Sequence, residues 1–364
     1  MSKIAPFVKA AAIGLLCLGL PHGAWAQSAS ANDAARFLAG MEVPADSALA
    51  KFVREPGWQQ HARYFDSAWT QLERQQLSKI RPWTEQNLKQ RQSTLYYMFS
   101  GPDFLYADAF FPGATTYVLA GLEPVGPMPE ITERTRHSLP SLRASLNTVL
   151  NYSFFITADM RGRLNASQLP GTLPILYVFL ARAGKTIREV SLVSIDKDGF
   201  VQAPAPQGTP GVKIVFVGSD GTNRTLYYFR TDLSDGGVRR SSFLEFCEKL
   251  GTGDALLKSA SYLMHSDGFS KVRQFVLDRS QSIVQDDSGI PLRSFKPEQW
   301  ELHLYGTYSG PVEVFANRAD PKLRELYRKG NPPKLDFGVG YRWRGHDSNL
   351  LIAVKKSAPT ASQR

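Results

Sequence analysis

Strand-like and helix-like segments alternate along the chain from Ser93 onward. The runs "TLYYMFS" (94–100) and "TTYVLAGL" (115–122) are rich in β-prone residues and end in Gly- and Pro-containing turns. The segment "VKIVFVGSDGTNRTLYYFRTDL" (212–233) predicts two strands joined by a hairpin loop. A second hairpin is expected from 337–343 and 349–354, and helical patterns fall between the strands. The sequence therefore predicts an α/β fold with a mixed sheet and flanking helices.

The first 26 residues have the order of a secretory signal peptide. Lys3 and Lys9 form a positive region, residues 10–20 are apolar, and "AWA" (24–26) supplies small residues before Gln27. Eleven helical residues rise about 16 Å, which is short of the hydrocarbon core of about 30 Å, so a signal peptide is favoured over a membrane anchor. We therefore expect cleavage after residue 26 and a periplasmic or secreted protein.

The composition and hydrophobic pattern divide the remaining chain into three parts. Residues 27–92 predict a helical N-terminal lead-in, residues 93–356 an α/β domain, and residues 357–364 a disordered tail. A weak similarity between the segments "YYMFSGPDF" and "YLMHSDGF" leaves open that the α/β domain has two related halves.

The mature chain keeps one cysteine, Cys247, so no intrachain disulfide is expected. No later run is long and apolar enough to predict a transmembrane helix.

The C-terminal part of the chain is basic. The whole sequence has a formal net charge of +10, and residues 318–364 contain 11 Lys or Arg against 4 Asp or Glu. Such a region attracts polyanions. For an exported protein, an anionic glycan or lipid of the cell envelope is a better candidate than nucleic acid, with Arg342, Arg344 and Lys355 as exposed contacts. The alternative is a merely solvated surface.

Three stretches carry a resemblance to a family of proteins. They are "LYYMFSGPDFLYADAFFPGATTYVLAGLEPVG" (95–126), "SYLMHSDGF" and "QDDSGIP". Together they resemble an uncharacterised family of exported bacterial proteins, over most of the chain after residue 40. The resemblance implies export and a globular fold, and it implies no activity, ligand or catalytic residue.

Four polar residues bracket an apolar segment between residues 261 and 291. The spacing predicts a helix over 269–285, about 25 Å long, with its apolar side chains on one face. His265 and Asp267 would then lie at one end, and Asp286 and Asp287 at the other. We therefore expect that these four residues do not form one site.

Each end of this predicted helix has a structural and a functional interpretation. Ser266 or Asp267 is placed to cap the helix N-terminus. If the preceding strand is parallel to strand 94–100, Ser100, Asp103, His265 and Asp267 would instead converge in one crevice. His265 would then act as a general base, or with the aspartates bind a divalent metal.

At the other end, "DDSGIP" (286–291) predicts a turn in which Asp side chains bind the backbone, with a metal or sugar contact as the alternative. Neighbouring carboxylates usually point apart, which makes Asp286 and Asp287 a poor pair for glycoside hydrolysis.

Two functions remain open at this point. The first is a binding or scaffolding module for an anionic glycan or lipid of the envelope, which would lose affinity in salt. The second is a periplasmic hydrolase that uses His265 with Asp267 and Asp103. The sequence identifies no cofactor or metal and leaves open whether the protein is an enzyme.

Overall fold

A computed structural model describes residues 30–152, 168–260 and 262–356. The predicted signal peptide and the predicted tail lie outside these residues. The N-terminal lead-in is helical, as predicted, with α1 (Ala31–Leu38), α2 (Pro56–Leu72) and α3 (Ser78–Asn87). A π-helical turn, Glu73–Leu77, joins α2 to α3. These helices belong to the same apolar core as one face of the sheet, through side chains such as Phe37 and Phe65.

The rest of the described chain alternates strands and helices, as the sequence predicts. The strands are β1 (Thr94–Tyr97), β2 (Thr116–Gly121), β3 (Thr186–Ile195), β4 (Val201–Gln202), β5 (Thr209–Val217), β6 (Asn223–Arg230), β7 (Gly253–Leu257), β8 (Ser280–Gln285), β9 (Trp300–Gly306) and β10 (Asn349–Lys355). The helices are α4 (Phe104–Phe110), α5 (Leu139–Tyr152), α6 (Leu173–Arg182), α7 (Asp235–Ser241), α8 (Phe243–Leu250), α9 (Ser270–Arg279) and α10 (Pro321–Gly330).

All ten strands form one mixed sheet in the order β4-β3-β5-β6-β2-β1-β7-β8-β10-β9. The five central strands, from β6 to β8, are parallel to one another. The outer strands are antiparallel, and β5 and β6 form the predicted hairpin. The α/β prediction with a mixed sheet and flanking helices is therefore confirmed.

Helices cover both faces of the central strands. Side chains of β1 alternate between the two cores: Leu95 and Tyr97 pack toward α1–α6, whereas Tyr96 packs toward α7–α10. Every residue of β1 is buried, as expected for a parallel strand with helices on both sides. Among the described residues, no helix is long and apolar enough to cross a membrane.

The helix predicted over residues 269–285 is wrong. The chain is helical only in α9, and it reverses direction at Ser280 to enter β8. The β-branched side chains of Ile283 and Val284 pair with Ala255 and Leu256 of the parallel strand β7. This non-local pairing overrides the helical spacing of the apolar residues. Because β8 is parallel to β7, both strands end at the same edge of the sheet, and Asp286 and Asp287 follow β8 there. The prediction that a helix separates them from His265 is therefore wrong.

Two further local predictions are wrong. The sequence predicts a strand over "ALLKSASYLMH" (255–265) before the segment that contains His265, but the strand ends at Leu257, and the chain then forms turns and short 3-10 segments. Residues 337–343 do not pair with β10 as a hairpin, because β10 lies between β8 and β9. An isolated bridge joins Val339 to Arg342 instead.

Candidate functional site

β1 and β7 are neighbouring parallel strands, and the crossover connections that follow them lie on opposite faces of the sheet. From β1 the chain passes through α4 to β2 on one side, and from β7 it passes through α9 to β8 on the other. α4 lies on one face of the sheet and α9 on the opposite face. Parallel sheets have a crevice at such a switch point, outside the carboxyl ends of the strands.

A partly open cavity of about 180 Å³ occupies this position. We call it the switch-point cleft. Its lining comes from the residues that follow β1, β2, β6 and β7, four of the five parallel strands. The polar members of the lining are Tyr97, Ser100, Asp103, Glu123, Thr231, Asp232, Lys258 and Ser259. The fold therefore brings polar groups from distant parts of the sequence to one concave surface.

A buried ion pair forms part of the cleft. The Lys258 ammonium lies 2.9 Å from Oδ2 of Asp103, and the Tyr97 hydroxyl donates a hydrogen bond of 2.8 Å to the same oxygen. Oδ1 of Asp103 accepts from the backbone N–H of Tyr106 and so caps α4. The ammonium also lies 4.2 Å from the centroid of the Tyr106 ring. These contacts fix a charge-compensated pair at the end of β1 and β7.

Tyr97 acts as a donor in this cluster over the whole physiological range. Its side chain is buried, and burial together with the nearby Asp103 carboxylate raises the pKa of Tyr97 well above its usual value. The phenol consequently keeps its proton and its hydrogen bond to Asp103.

Glu123 is a second buried carboxylate in the cleft, and it is 3 % exposed. The Tyr228 hydroxyl donates to its backbone oxygen at 2.8 Å and lies 3.3 Å from Oε2. Glycine is needed beneath this carboxylate, because a Cβ at Gly121 would lie 2.4 Å from Oε2 and 2.9 Å from Cα of Gly101. Within the described ranges, no Lys or Arg forms an ion pair with Glu123.

Backbone strain is concentrated around the cleft. Five described residues other than glycine have a positive φ, and three of them follow β1 or β7: Phe99 (59°), Ser259 (54°) and Tyr262 (57°). Each such conformation costs about 1–3 kcal/mol and persists only where the surroundings impose it. Strained backbone of this kind clusters at functional sites. The cleft thus combines a cavity, buried charge and local strain.

A second, smaller cavity of about 10 Å³ lies beside β8 and β10. His265, Asp286 and Asp287 all line it. This volume is about that needed by one water molecule, so the cavity has no room for an organic substrate. Within the described ranges, no group of three or more His, Cys, Asp or Glu side chains is arranged to hold a metal ion.

The two neighbouring aspartates bind different partners. Asp286 accepts from the backbone N–H of Ser259 at 3.0 Å and of Ser288 at 3.0 Å. Asp287 accepts from the Tyr262 hydroxyl at 2.5 Å and from the Asn349 side chain at 3.0 Å. The prediction of a turn in which Asp side chains bind the backbone is confirmed for Asp286, whereas Asp287 binds two side chains.

Burial shifts the protonation of these groups. Burial and the charge of Asp287 raise the pKa of Asp286 above its usual value. Burial and the nearby Arg293 and Arg318 lower the pKa of His265 to about 4, so its imidazole is neutral at pH 7. Its Nε2 atom is buried and makes no hydrogen bond within the described structure. The geometry gives His265 a neighbouring pair of acids but no space for a reacting molecule.

The structure divides the residues that the sequence grouped together. Ser100 and Asp103 line the switch-point cleft, and His265 lines the smaller cavity. Asp267 is exposed in the 3-10 turn Asp267–Phe269 and lines neither of these two cavities. A catalytic role for any of them stays a prediction.

Neither Ser266 nor Asp267 caps α9, so that prediction is wrong. The cap comes from another helix. Asp235 of α7 accepts from the backbone N–H of Lys271 at 2.8 Å and from the Ser270 hydroxyl at 2.6 Å.

The three predicted anion contacts do not form one exposed group. Arg342 is half-buried and donates to the backbone oxygens of Gly310 and Pro311. Lys355, also half-buried, donates to the backbone oxygens of Leu277 and Asp278, at the far end of β10 from Asn349. Only Arg344 is exposed, and its guanidinium lies 4.6 Å from the Trp343 ring centroid. The expectation that all three are exposed is wrong, because folding gives two of them backbone acceptors.

Lys258 and Glu123 were not found by sequence reasoning. Glu123 directly follows the predicted strand 115–122, so a search for polar residues immediately after predicted strands would have selected it. Lys258 lies inside the predicted strand 255–265 and would have been missed, because the strand in the structure ends at Leu257. That search becomes specific only when the strands are known to be parallel, because only then do their carboxyl ends share one edge.

Comparisons with protein-family models, curated proteins and solved structures give no match. The resemblance to exported bacterial proteins therefore stays a prediction, and the site has to be interpreted from its own geometry.

Proposed function

We propose that this protein binds a small polar organic molecule in the switch-point cleft. The observation that carries this proposal is that the ends of four parallel strands line one cavity. This cavity lies where the crossover connections after β1 and β7 pass to opposite faces of the sheet. Ligands of open α/β sheets bind at this position. A cavity of about 150 Å³ holds one benzene molecule, so about 180 Å³ suits a ligand with a single six-membered ring.

A blocking variant tests this proposal. Leu122 is 51 % exposed and lines the cleft, so Leu122→Trp should fill its mouth without disturbing the core. Met128 is 38 % exposed, is not part of the lining, and follows on the same loop, so Met128→Trp is the matched control. The probes are a panel of neutral sugars, carboxylic acids and organic amines.

Thermal unfolding of the three proteins is measured with each probe. A ligand that binds the folded state raises the melting temperature. We expect at least one probe to stabilise the wild type and Met128→Trp, and to lose most of this effect in Leu122→Trp. If every stabilising probe raises the melting temperature of Leu122→Trp as much as that of the wild type, the ligand site is not in the cleft.

A second candidate function is a contact with an anionic component of the envelope. It is supported by α10, whose exposed residues include Lys322, Arg324, Arg328 and Lys329, while Leu323 and Tyr327 face the core. Of these four cations, only Lys329 is paired with a carboxylate of the described residues, that of Glu325. The proposal predicts that the protein sediments with vesicles containing an anionic phospholipid, or binds an alginate column, and is released as salt rises from about 0.05 to 0.5 M.

The vesicle assay detects a lipid partner and the alginate column detects a glycan partner, so the two assays distinguish these possibilities. Lys322→Glu and Lys329→Glu together should abolish either interaction, and Lys213→Glu on β5 serves as the control. Binding that survives the α10 variant or high salt contradicts this candidate.

We further propose that the protein works in the periplasm or outside the cell, on the strength of residues 1–26. N-terminal sequencing of the protein from a bacterial periplasmic extract tests this. A mature chain that begins at Gln27 supports it, and a chain that keeps residues 1–26 contradicts it. The hydrolase alternative stays a prediction that the geometry does not favour, since His265 lines a cavity of about 10 Å³.

A further inference from the structure

The switch-point cleft is acidic in a protein that is basic. The four charged side chains in its lining are Asp103, Glu123, Asp232 and Lys258, which gives a formal net charge of −2, while the whole chain has +10. Lys258 is already paired with Asp103. The two remaining carboxylates, Glu123 and Asp232, therefore determine the charge that a ligand meets.

These two carboxylates lie on neighbouring strand ends. Gly121, the last residue of β2, is paired with Arg230, the last residue of β6, and each carboxylate residue follows two positions after the end of its strand. The Thr231 backbone N–H donates to the Gly121 oxygen at 2.9 Å and extends the pairing toward the cleft. Because both residues line the cavity, their charges act on the same ligand position.

Glu123 lacks the compensation that a buried carboxylate usually has. It is 3 % exposed, its nearest donor to Oε2 is a neutral hydroxyl 3.3 Å away, and no described residue donates to Oε1. Burying a carboxylate is costly unless a cation or several hydrogen bonds accompany it. Asp232 is different, because it is exposed and accepts from the backbone N–H and the hydroxyl of Ser234.

The remaining lining offers an apolar surface near the carboxylates. The rings of Phe99 and Phe269 lie 5.8 Å apart between centroids, and Leu122 stands at the rim. Phe99 reaches this position in a left-handed conformation, with a φ of 59°. A ligand with one apolar or ring-shaped part and one charged end would match both halves of the lining.

We infer that the ligand of the cleft is a primary amine in its protonated form, with its ammonium group on the Glu123 carboxylate and its carbon skeleton against Phe99 and Phe269. This inference rests on the proposed function and adds the chemical class of the ligand. An ammonium donates up to three hydrogen bonds, and charge-assisted hydrogen bonds are about twice as strong as neutral ones. Glu123 would thus gain the cationic partner that the described chain does not provide.

Matched pairs of probes test this inference. Each amine is compared with the neutral molecule of the same shape: cyclohexylamine with cyclohexanol, phenethylamine with phenethyl alcohol, and glucosamine with glucose. Dissociation constants are measured by calorimetric titration of the wild type, Glu123→Gln and Glu298→Gln. Glu298 is exposed and is not part of the cleft lining, so its variant controls for the loss of one negative charge.

We expect at least one amine to bind the wild type about tenfold more tightly than its neutral partner. Glu123→Gln should remove this difference, and Glu298→Gln should keep it. Asp232→Asn changes an exposed residue and should reduce the difference about two- to threefold, which provides a second variant if Glu123→Gln does not fold.

Two results would overturn the inference. The first is that no amine binds more tightly than its neutral partner. The second is that the preference for amines persists undiminished in Glu123→Gln or, if that variant does not fold, in Asp232→Asn. If neutral or acidic probes bind and Leu122→Trp blocks them, the cleft is still the ligand site and only the assignment to amines fails. The two proposals can therefore fail separately.

Discussion

The Lys258 ammonium lies 2.9 Å from the Asp103 carboxylate, and each side chain is 2 % exposed. The two residues come from the ends of β7 and β1, which are neighbours in the sheet and distant in the sequence. Their contact joins the two strand ends at the switch point, and both side chains line the cleft.

The effects of removing the two partners of the pair on stability should not be additive. Asp103→Asn or Lys258→Met removes one charge of a buried ion pair and should cost about 3–5 kcal/mol of unfolding free energy. The double variant should cost less than the sum of the single variants. Urea unfolding of all four proteins measures this coupling. Lys329→Met breaks an exposed pair with Glu325 and should change stability by less than about 0.5 kcal/mol. Additive single variants would contradict the coupling.

The glycine beneath Glu123 should not tolerate a side chain. The Cβ of Gly121→Ala would lie 2.4 Å from Oε2 of Glu123 and 2.9 Å from Cα of Gly101, so the cleft must shift. We expect a loss of about 1–3 kcal/mol in urea unfolding. Gly113→Ala is the control, since nothing lies within 4 Å of its Cβ position. Equal stability of the two variants would mean that Glu123 does not occupy the position described.

The N-terminus of α9 should depend on Asp235 and not on Asp267. Asp235→Ala removes the acceptor for the Lys271 N–H and the Ser270 hydroxyl and should cost about 1 kcal/mol. Asp267→Ala should stay within about 0.5 kcal/mol of the wild type, because no cap bond is lost. Chemical denaturation of the two variants decides between the structure and the sequence-based prediction. A larger effect at Asp267 would support the latter.

His61 should make the fold sensitive to acid. Its ring is buried, and burial lowers its pKa from 6.5 to about 4 in the folded protein, where Nε2 lies 2.8 Å from the Leu38 oxygen. Between pH 6.5 and pH 4 the unfolded chain binds a proton that the folded chain does not. The contribution of His61 to the unfolding free energy is therefore fully present above pH 6.5. It falls by about 3 kcal/mol as the pH is lowered to 4.

The variant His61→Phe lacks this titration and should be less sensitive to the same pH change. The measurement is the difference in unfolding free energy between wild type and variant at pH 7 and at pH 4. Burial and the charge of Asp287 raise the pKa of Asp286 in the folded protein, so the contribution of Asp286 to the unfolding free energy falls as pH rises, opposite to that of His61. Because Asp286 is present in both proteins, its contribution cancels in the difference. A difference that does not change with pH would contradict a neutral, buried His61.

Local composition was sufficient to predict much of the fold. The hairpin β5–β6 follows from β-prone runs around "SDGTN", and the helical lead-in follows from aromatic and Leu spacing. The helix over 269–285 was wrong because its apolar residues fit a helical period, whereas the partner strand β7 that makes 280–285 a strand lies outside that window. Local periodicity does not contain such non-local pairings.

The candidate site was predictable only in part. Ser100 and Asp103 were identified because they follow a strand, and both line the cleft. His265 was selected for its chemistry and lies in a different cavity. The strand order determines which strand ends meet, and no single segment of the sequence reveals that β1 lies between β2 and β7. Knowledge of that order was needed to group Asp103 with Lys258 and Glu123.

Hydrogen exchange with and without a bound amine tests the central claim most directly. The probe is the amine among cyclohexylamine, phenethylamine and glucosamine that binds the wild type most tightly. We predict slower exchange in the residues after β1, β2, β6 and β7, at 99–103, 121–123, 231–233 and 258–260, and no change in α10. Protection that is absent from these four segments, or that is confined to α10, would contradict a ligand site at the switch point.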